Sequence, residues 1–244
     1  MTSLGSTGAR PNGLHAQLVD ALGTRIAHGD LPVGEVISPE QIGAEYEVSR
    51  PVVREALRTL EVLGMVRARH KVGTTVQPQA RWALLNPQVI AWRADGPDAD
   101  VQLKELMALR EAVEPAAAKI AARHGGADLT GDLHEHLAGM RDAYEQRNRV
   151  AFVAADTRFH HTMLEGAANA VFSQLVQTLI ATLHARYSDR RQLFTSDTAA
   201  SLDRHESVIQ AIAATDPEAA EAAALSLVRA TRVEVLDEDP ALER

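Results

Sequence analysis

Helical periodicity runs through this chain almost without interruption, and its one clear break, at residues 65–76, constrains the fold more than any other feature. There Met65–Ala68 and Thr74–Val76 are short β-type runs, separated by Arg69-His70-Lys71-Val72-Gly73, the pattern of a hairpin with basic residues at its tip. Three helices are predicted ahead of it. Leu14, Leu18, Ala21, Leu22 and Ile26 recur at helical spacing until Gly29 stops the pattern, and Leu31-Pro-Val-Gly34 is a turn. Pro39–Tyr46 reads as a short helix entered through Ser38, with Pro39 in the first helical position. Glu47-Val-Ser49 is a tight connection, and Ser49 is the expected N-cap of a third helix, Arg50–Leu63. Three helices followed by a hairpin are the arrangement of a winged helix-turn-helix.

From Trp82 onward the pattern is helical throughout, with helices expected at Pro87–Arg93, Val101–His124, Leu129–Arg147, Val150–Ala167, Ala170–Tyr187, Ser201–Ala214 and Pro217–Leu236. Composition agrees: 45% hydrophobic but only 4% aromatic residues suit helical packing rather than sandwiches or barrels. At ~150 residues per domain, 244 residues make two. The expected organisation is mainly α: a disordered tail over 1–12, a winged helix-turn-helix over 13–77, a linker over 78–86 and an all-α bundle over 87–237. Cysteine is absent, which excludes disulfides, thiolate nucleophiles and cysteine-ligated zinc. No charged leader with an apolar stretch and no run of ~18 apolar residues occurs, so the expectation is a soluble, cytoplasmic protein without a membrane partner.

The net charge of −8 argues at first against nucleic acid, but the average hides an island. Between Arg50 and Arg81 seven basic residues face two acidic ones, a local +5 that leaves −13 for the remainder. The third predicted helix concentrates the signal. Val53, Leu57 and Leu60, flanked by Val52, Ala56 and Leu63, make its apolar face, while Arg50, Arg54 and Arg58 recur at i, i+4 and i+8 on another. Guanidinium groups at the start of such a helix can bond to guanine edges in the major groove, and the helix N-terminus favours phosphate. An arginine stripe on an arbitrary helix is usually a solvated face. This one follows a capped turn and precedes a basic hairpin, which points to double-stranded DNA.

Val48-Ser-Arg-Pro-Val-Val-Arg-Glu-Ala-Leu-Arg-Thr-Leu-Glu-Val-Leu-Gly-Met-Val66 and Gly73-Thr-Thr-Val76 resemble the signature of GntR-family transcription regulators. The resemblance implies contacts to operator DNA from Ser49, Arg50, Val52, Arg54 and Arg58, and from the wing residues Arg69, His70, Lys71 and Gly73. It shows one departure: Glu40 stands early in the second helix, where the family usually carries arginine. The second half resembles the all-α effector (FCD-type) domain of the FadR subfamily, through Leu106–Ala118, Asp156-Thr-Arg-Phe-His160, Asn169, His205, Val208–Ile212 and Asp216. The chain is too short for the family branch that carries an aminotransferase-like domain.

At ~100° per residue, Asp156 falls beside Phe152, Phe159 and Met163, and His160 beside Val153 and Leu164, whereas His161 points away. His205 lies within the arc of Leu202, Val208, Ile209 and Ile212; Arg110 lies among Leu106, Met107 and Val113, with Glu114 one turn on. Ionisable groups aimed into a bundle are costly unless they satisfy one another, a metal or a ligand. Two readings stay open: a structural pair Asp156/His160 and ion pair Arg110/Glu114, or a binding cavity built from Arg110, Asp156, His160 and His205.

In many members of the subfamily three His and one Asp bind a divalent metal that holds a carboxylate. By that resemblance Asp156, His160 and His205 fill three positions, and Leu227, which cannot ligate, stands at the fourth. The alternatives are therefore a zinc or nickel ion completed by water or ligand, or no metal, with the imidazoles and Asp156 bonding ligand hydroxyls and Arg110 taking the carboxylate. The segment Leu85–Trp92 is similar to repressors of sugar-acid catabolism, of the galactonate and gluconate type. The expectation is a homodimeric repressor on a pseudo-palindromic operator, since one recognition helix reads only a few base pairs, released by a small carboxylate such as a sugar acid. A regulator answering to another hydroxy or dicarboxylic acid through a metal is the alternative. A metal-dependent enzyme built on Asp156, His160 and His205 is remote, because no general-base motif, nucleophile elbow or phosphate loop accompanies them.

Overall fold

The computed structural model describes residues 13–70, 72–188, 194 and 196–236, and the chain divides into two compact units, Met1–Ala99 and Asp100–Arg244. The expectations for the 1–12 tail and for Lys71 lie outside the described residues.

The first unit runs α1 (Leu14–His28), β1 (Val36–Ile37), α2 (Pro39–Glu45), α3 (Arg50–Val62), β2 (Val66–Arg69), β3 (Gly73–Val76), a 3-10 turn (Gln79–Arg81) and α4 (Pro87–Arg93). Leu18, Leu22, Ile26, Val53, Leu57 and Leu60 bring α1 and α3 together over Met65 and Val76. The strands form an antiparallel sheet in the order β1-β3-β2, with Thr75 of β3 between Val36 and Arg67. The hairpin is as expected; β1, only two residues long, shows no alternation from which it could be read. Ser38 caps α2, its Oγ accepting from the Gln41 N–H at 3.3 Å. Between α2 and α3 the chain reverses through Glu47 at φ 55, and the Val48 N–H donates to the Gly43 carbonyl at 3.1 Å. Ser49 holds the N-cap position of α3 as expected, but its side chain makes no capping bond.

Residues 78–86, expected as a linker, are packed against the end of α3. Gly64 sits at φ 74, and a Cβ there would lie 2.1 Å from the Arg81 carbonyl oxygen, so only glycine lets the two segments approach. The Ala83 N–H donates to the Leu63 carbonyl at 2.9 Å, and the Trp82 indole N–H to the Gln77 carbonyl at 2.8 Å. Helix α4, read from the sequence as the first helix of the bundle, belongs instead to the core of this unit through Val89 and Trp92. The Trp92 ring lies against Gly23 of α1, where a Cβ would come within 2.6 Å of it, and its N–H donates to Asp20 at 3.2 Å.

The second unit is helical throughout its described residues: α5 (Ala99–His124), α6 (Ala127–Glu145), α7 (Arg149–Gly166), α8 (Ala170–Ser188), α9 (Ser196–Ala213) and α10 (Pro217–Leu236). Helix α6 packs on α7 and α9, α7 on α8 and α9 on α10. Leu133, Leu137 and Met140 of α6 meet Phe152, Phe159 and Met163 of α7 and Val208, Ile209 and Ile212 of α9 in the core. Helix α5 is tied to α10 from outside: Glu111 accepts from Arg229 at 2.7 Å and Arg232 at 3.3 Å, and Lys119 donates to Glu221 at 2.7 Å. No described helix is long and apolar enough to cross a membrane.

Candidate functional site

Because Val53, Ala56, Leu57 and Leu60 are buried, the helical period turns Arg50, Arg54 and Arg58 outward, and all three are exposed. They line a groove of about 490 Å³ together with Glu40 of α2 and Thr74 of β3. Glu61, at the other end of α3, accepts from the Ala68 N–H at 2.8 Å and so fastens β2 to the helix. At the hairpin tip Arg69 pairs in register with Gly73, and Arg69, His70 and Gly73 are all exposed. Ser49 is exposed, whereas Val52 is half-buried against the core of the unit.

The second unit brings its inward polar groups together from three helices. Arg110 and Glu114 come from α5, Asp156 and His160 from α7, and His205 from α9; none is more than 2% exposed. Arg110 is bidentate to Glu114, through Nε to Oε1 and through Nη2 to Oε2 at 3.3 Å, and Nη2 also lies 3.2 Å from His160 Nε2. Glu114 Oε2 is 2.9 Å from His160 Nδ1. Burial pushes the Glu114 carboxyl upward, but the Arg110 guanidinium and the contacts from Arg110 and His160 outweigh it and hold the group at about 2. The expected alternatives of ion pair and cavity thus meet in one network, since the pair is made and its members touch His160. His161 points outward, 37% exposed, toward Glu165.

His205 tests whether a metal suits this set. Its Nδ1 lies 2.7 Å from the Ser201 carbonyl, which fixes the proton on that nitrogen. Burial lowers its pKa, against the opposing pull of the nearby Asp156 carboxylate. Its Nε2 has no hydrogen bond and faces Asp156 Oδ1 at 3.3 Å. That contact becomes favourable with a proton on Nε2 or with a cation bound to both atoms. Ligand atoms of Asp156, His160 and His205 all lie within 4.8 Å of one another, and two imidazoles with a carboxylate are donors that zinc and nickel accept. Against that, Arg110 already approaches His160 Nε2, so the guanidinium and a metal compete for one nitrogen. Leu227 is 1% exposed in the core shared with Phe159 and adds no ligand.

The model of bacterial regulatory proteins of the gntR family matches residues 14–76, and the FCD domain model matches residues 105–230. The chain belongs to the GntR family and carries an FCD domain. Its relatives agree along their length. The HTH-type transcriptional regulator YieP of Escherichia coli K12 is 30% identical over 213 residues, 87% of this chain and 91% of that one. The galactonate operon transcriptional repressor of the same organism is 29% identical over 218 residues, 87% of this chain and 92% of that one. Among solved structures, one of Lar, described as controlling the agr system of Listeria monocytogenes, shares the fold at a TM-score of 0.65 and 18% identity, covering 95% of this chain and 100% of that one. This GntR/FCD protein is therefore a transcription regulator rather than an enzyme. Two contacts were beyond sequence reasoning. The Glu114–His160 approach joins residues on different helices; the Ser201 carbonyl at His205 lies four residues back, a spacing that any helix supplies.

Proposed function

We propose that this GntR/FCD regulator is a cytoplasmic homodimeric repressor that grips a pseudo-palindromic operator and releases it when a small carboxylate, of the sugar-acid class, enters the FCD domain. In this reading Ser49, Arg50, Val52, Arg54 and Arg58 of α3 meet the major groove, and Arg69, His70, Lys71 and Gly73 of the wing meet the neighbouring backbone or minor groove. The winged helix-turn-helix is residues 13–77, and effector binding and dimerisation belong to the helical domain that follows.

The observation that carries the effector reading is the buried cluster of Asp156, His160 and His205, with His205 Nε2 lying 3.3 Å from Asp156 Oδ1. Ionisable groups buried this closely together are costly unless a proton, a metal or a ligand satisfies them. Asp156, His160 and His205 would hold a zinc or nickel ion, which when bound supplies positive charge for a carboxylate. Arg110 is bidentate to Glu114 through Nε and Nη2, so it cannot offer that paired edge to a ligand carboxylate unless Glu114 gives way. That favours the metal-assisted version of the reading over direct capture by Arg110. The similarity to a galactonate operon repressor supports the sugar-acid class.

A thermal-shift screen of sugar acids and of small hydroxy and dicarboxylic acids, with and without Zn²⁺, tests it. A hit should raise the melting temperature and release the protein from a selected operator in a mobility-shift assay. Hits confined to neutral sugars or acyl chains would overturn the carboxylate assignment.

A further inference from the structure

The groove of the winged-helix unit contains a carboxylate that the arginine face does not account for. It is lined by Glu40 of α2, by Arg50, Arg54, Arg58 and Glu61 of α3 and by Thr74 of β3. Three guanidinium groups suit phosphates and base edges; two carboxylates there need a reason. Glu61 has one, since it holds the backbone of Ala68. Glu40 is exposed, takes a hydrogen bond from the Ser38 hydroxyl at 3.4 Å, and among the described residues forms no ion pair with Arg50, Arg54 or Arg58. It therefore neither neutralises the arginines nor holds them in place.

A carboxylate facing DNA is repelled by phosphate wherever the protein lands, and it recovers that loss only where a base offers a donor. In the major groove the donors are exocyclic amino groups, and the one that acidic side chains pair with is cytosine N4. We propose that Glu40 is a specificity-determining residue of the DNA face, accepting a hydrogen bond from a cytosine amino group and penalising attachment through phosphates alone. The proposal rests on the reading of α3 as the DNA-contacting helix. Its logic is a difference of affinities: the arginines bind any duplex, and Glu40 subtracts from all of them except sites with cytosine in register. The competing role is a favourable charge in the first turn of α2. That role would change stability and leave base preference alone.

The experiment uses the full-length protein, as wild type, Glu40→Ala, Glu40→Gln and Arg54→Ala. One probe is a random-sequence duplex titrated over a salt series, and the other is a randomised duplex library from which each protein selects its sites. Glu40→Ala and Glu40→Gln should both bind the random duplex several-fold more tightly at low salt. Glu40→Ala should also lose preference for cytosine at one position of each half-site, by about fivefold or more, while Glu40→Gln, which keeps an acceptor, loses less. Unchanged random-duplex affinity and an unchanged selected motif in Glu40→Ala, with a lowered melting temperature, would overturn the proposal in favour of the helix-terminus role. Arg54→Ala separates the two layers. If it flattens the salt dependence while Glu40→Ala does nothing, only the Glu40 proposal falls. If Arg54→Ala leaves salt dependence and motif intact, the reading of α3 itself falls.

Discussion

The two units of this GntR/FCD regulator place their charges in opposite ways. In the winged-helix unit Arg50, Arg54 and Arg58 stand on an exposed helix face above a core of apolar side chains. In the FCD domain Arg110, Glu114, Asp156, His160 and His205 are buried among apolar side chains and one another. An exposed charge remains solvated and contributes little to folding, so it is free to serve a partner. A buried charge costs several kcal/mol to desolvate and survives only through its neighbours. Folding and function should therefore be separable in the first unit and inseparable in the second.

The largest effect is expected at Arg110. Arg110→Met leaves Glu114 buried without its bidentate partner, and removing one member of a buried pair costs about 3–5 kcal/mol. Calorimetric unfolding should show a fall in melting temperature on the order of 10 °C. Restoring most of it with Arg110→Met/Glu114→Leu would tie the loss to the orphaned carboxylate. The pH dependence gives a second readout. In the wild type Glu114 is held at about 2, below its ordinary 4.5, so its contribution is present above 4.5 and lost as pH falls toward 2. Without Arg110 the upward push of burial gains on what remains, and the stability difference between wild type and variant should widen as pH rises through 4.5. A constant difference across that range would mean that Arg110 acts through packing alone.

At Arg50 and Arg54 the sign of the comparison reverses. Each alanine substitution should cost about 1–3 kcal/mol of specific DNA binding if a base contact is lost, or about one unit of salt slope if a phosphate contact is lost. Melting temperature should stay within about 1–2 °C of wild type, because neither side chain packs. Mobility-shift titrations over a salt series, run beside calorimetry, check both halves. A variant that lost stability together with binding would break the separation proposed for this unit.

What was legible in the sequence follows from the same contrast. The arginine stripe of α3 needed only the period of one helix, and the Arg110/Glu114 pair only the spacing of one turn. The direction of Asp156, His160 and His205 into the core was also local, and the burial of all three bears it out. Their partners on other helices were not local. His160 meets Arg110 across 50 positions of sequence, and no periodicity specifies that approach. Helix α4 went to the wrong unit for a related reason: an amphipathic helix shows that it packs, not on what, and the absent side chain of Gly23 that admits Trp92 lies on a different helix. The residue type at Ser49 identified the N-cap, but the orientation of its hydroxyl lies below what residue type determines.

A smaller effect is expected at Leu227, where this chain departs from the ligand pattern of the family it resembles. If Leu227 stands at the fourth ligand position, the domain should hold zinc or nickel weakly, because three protein groups and a competing guanidinium face the ion. Leu227→His should then raise metal affinity at least tenfold, measured by elemental analysis after dialysis and by competition with a chelator. A stoichiometric metal that survives dialysis in the wild type would break the argument. It would mean that Asp156, His160 and His205 suffice and that Arg110 yields His160 to the metal.

The smallest effect sharpens the comparison within the winged-helix unit itself, between two serines that both occupy helix N-caps. Ser38 accepts from the Gln41 N–H at 3.3 Å, whereas Ser49 makes no side-chain capping bond. Ser38→Ala should therefore destabilise the unit by about 1 kcal/mol. Ser49→Ala should change stability by less than about 0.5 kcal/mol, the ordinary range for a surface position. If the Ser49 hydroxyl is left for a phosphate at the start of α3, its loss should appear in DNA affinity, as a several-fold weakening on every sequence. Thermal unfolding and random-duplex binding of the two variants give four numbers. Equal stability losses at Ser38 and Ser49 would show that Ser49 caps α3 in solution and is not held in reserve for DNA.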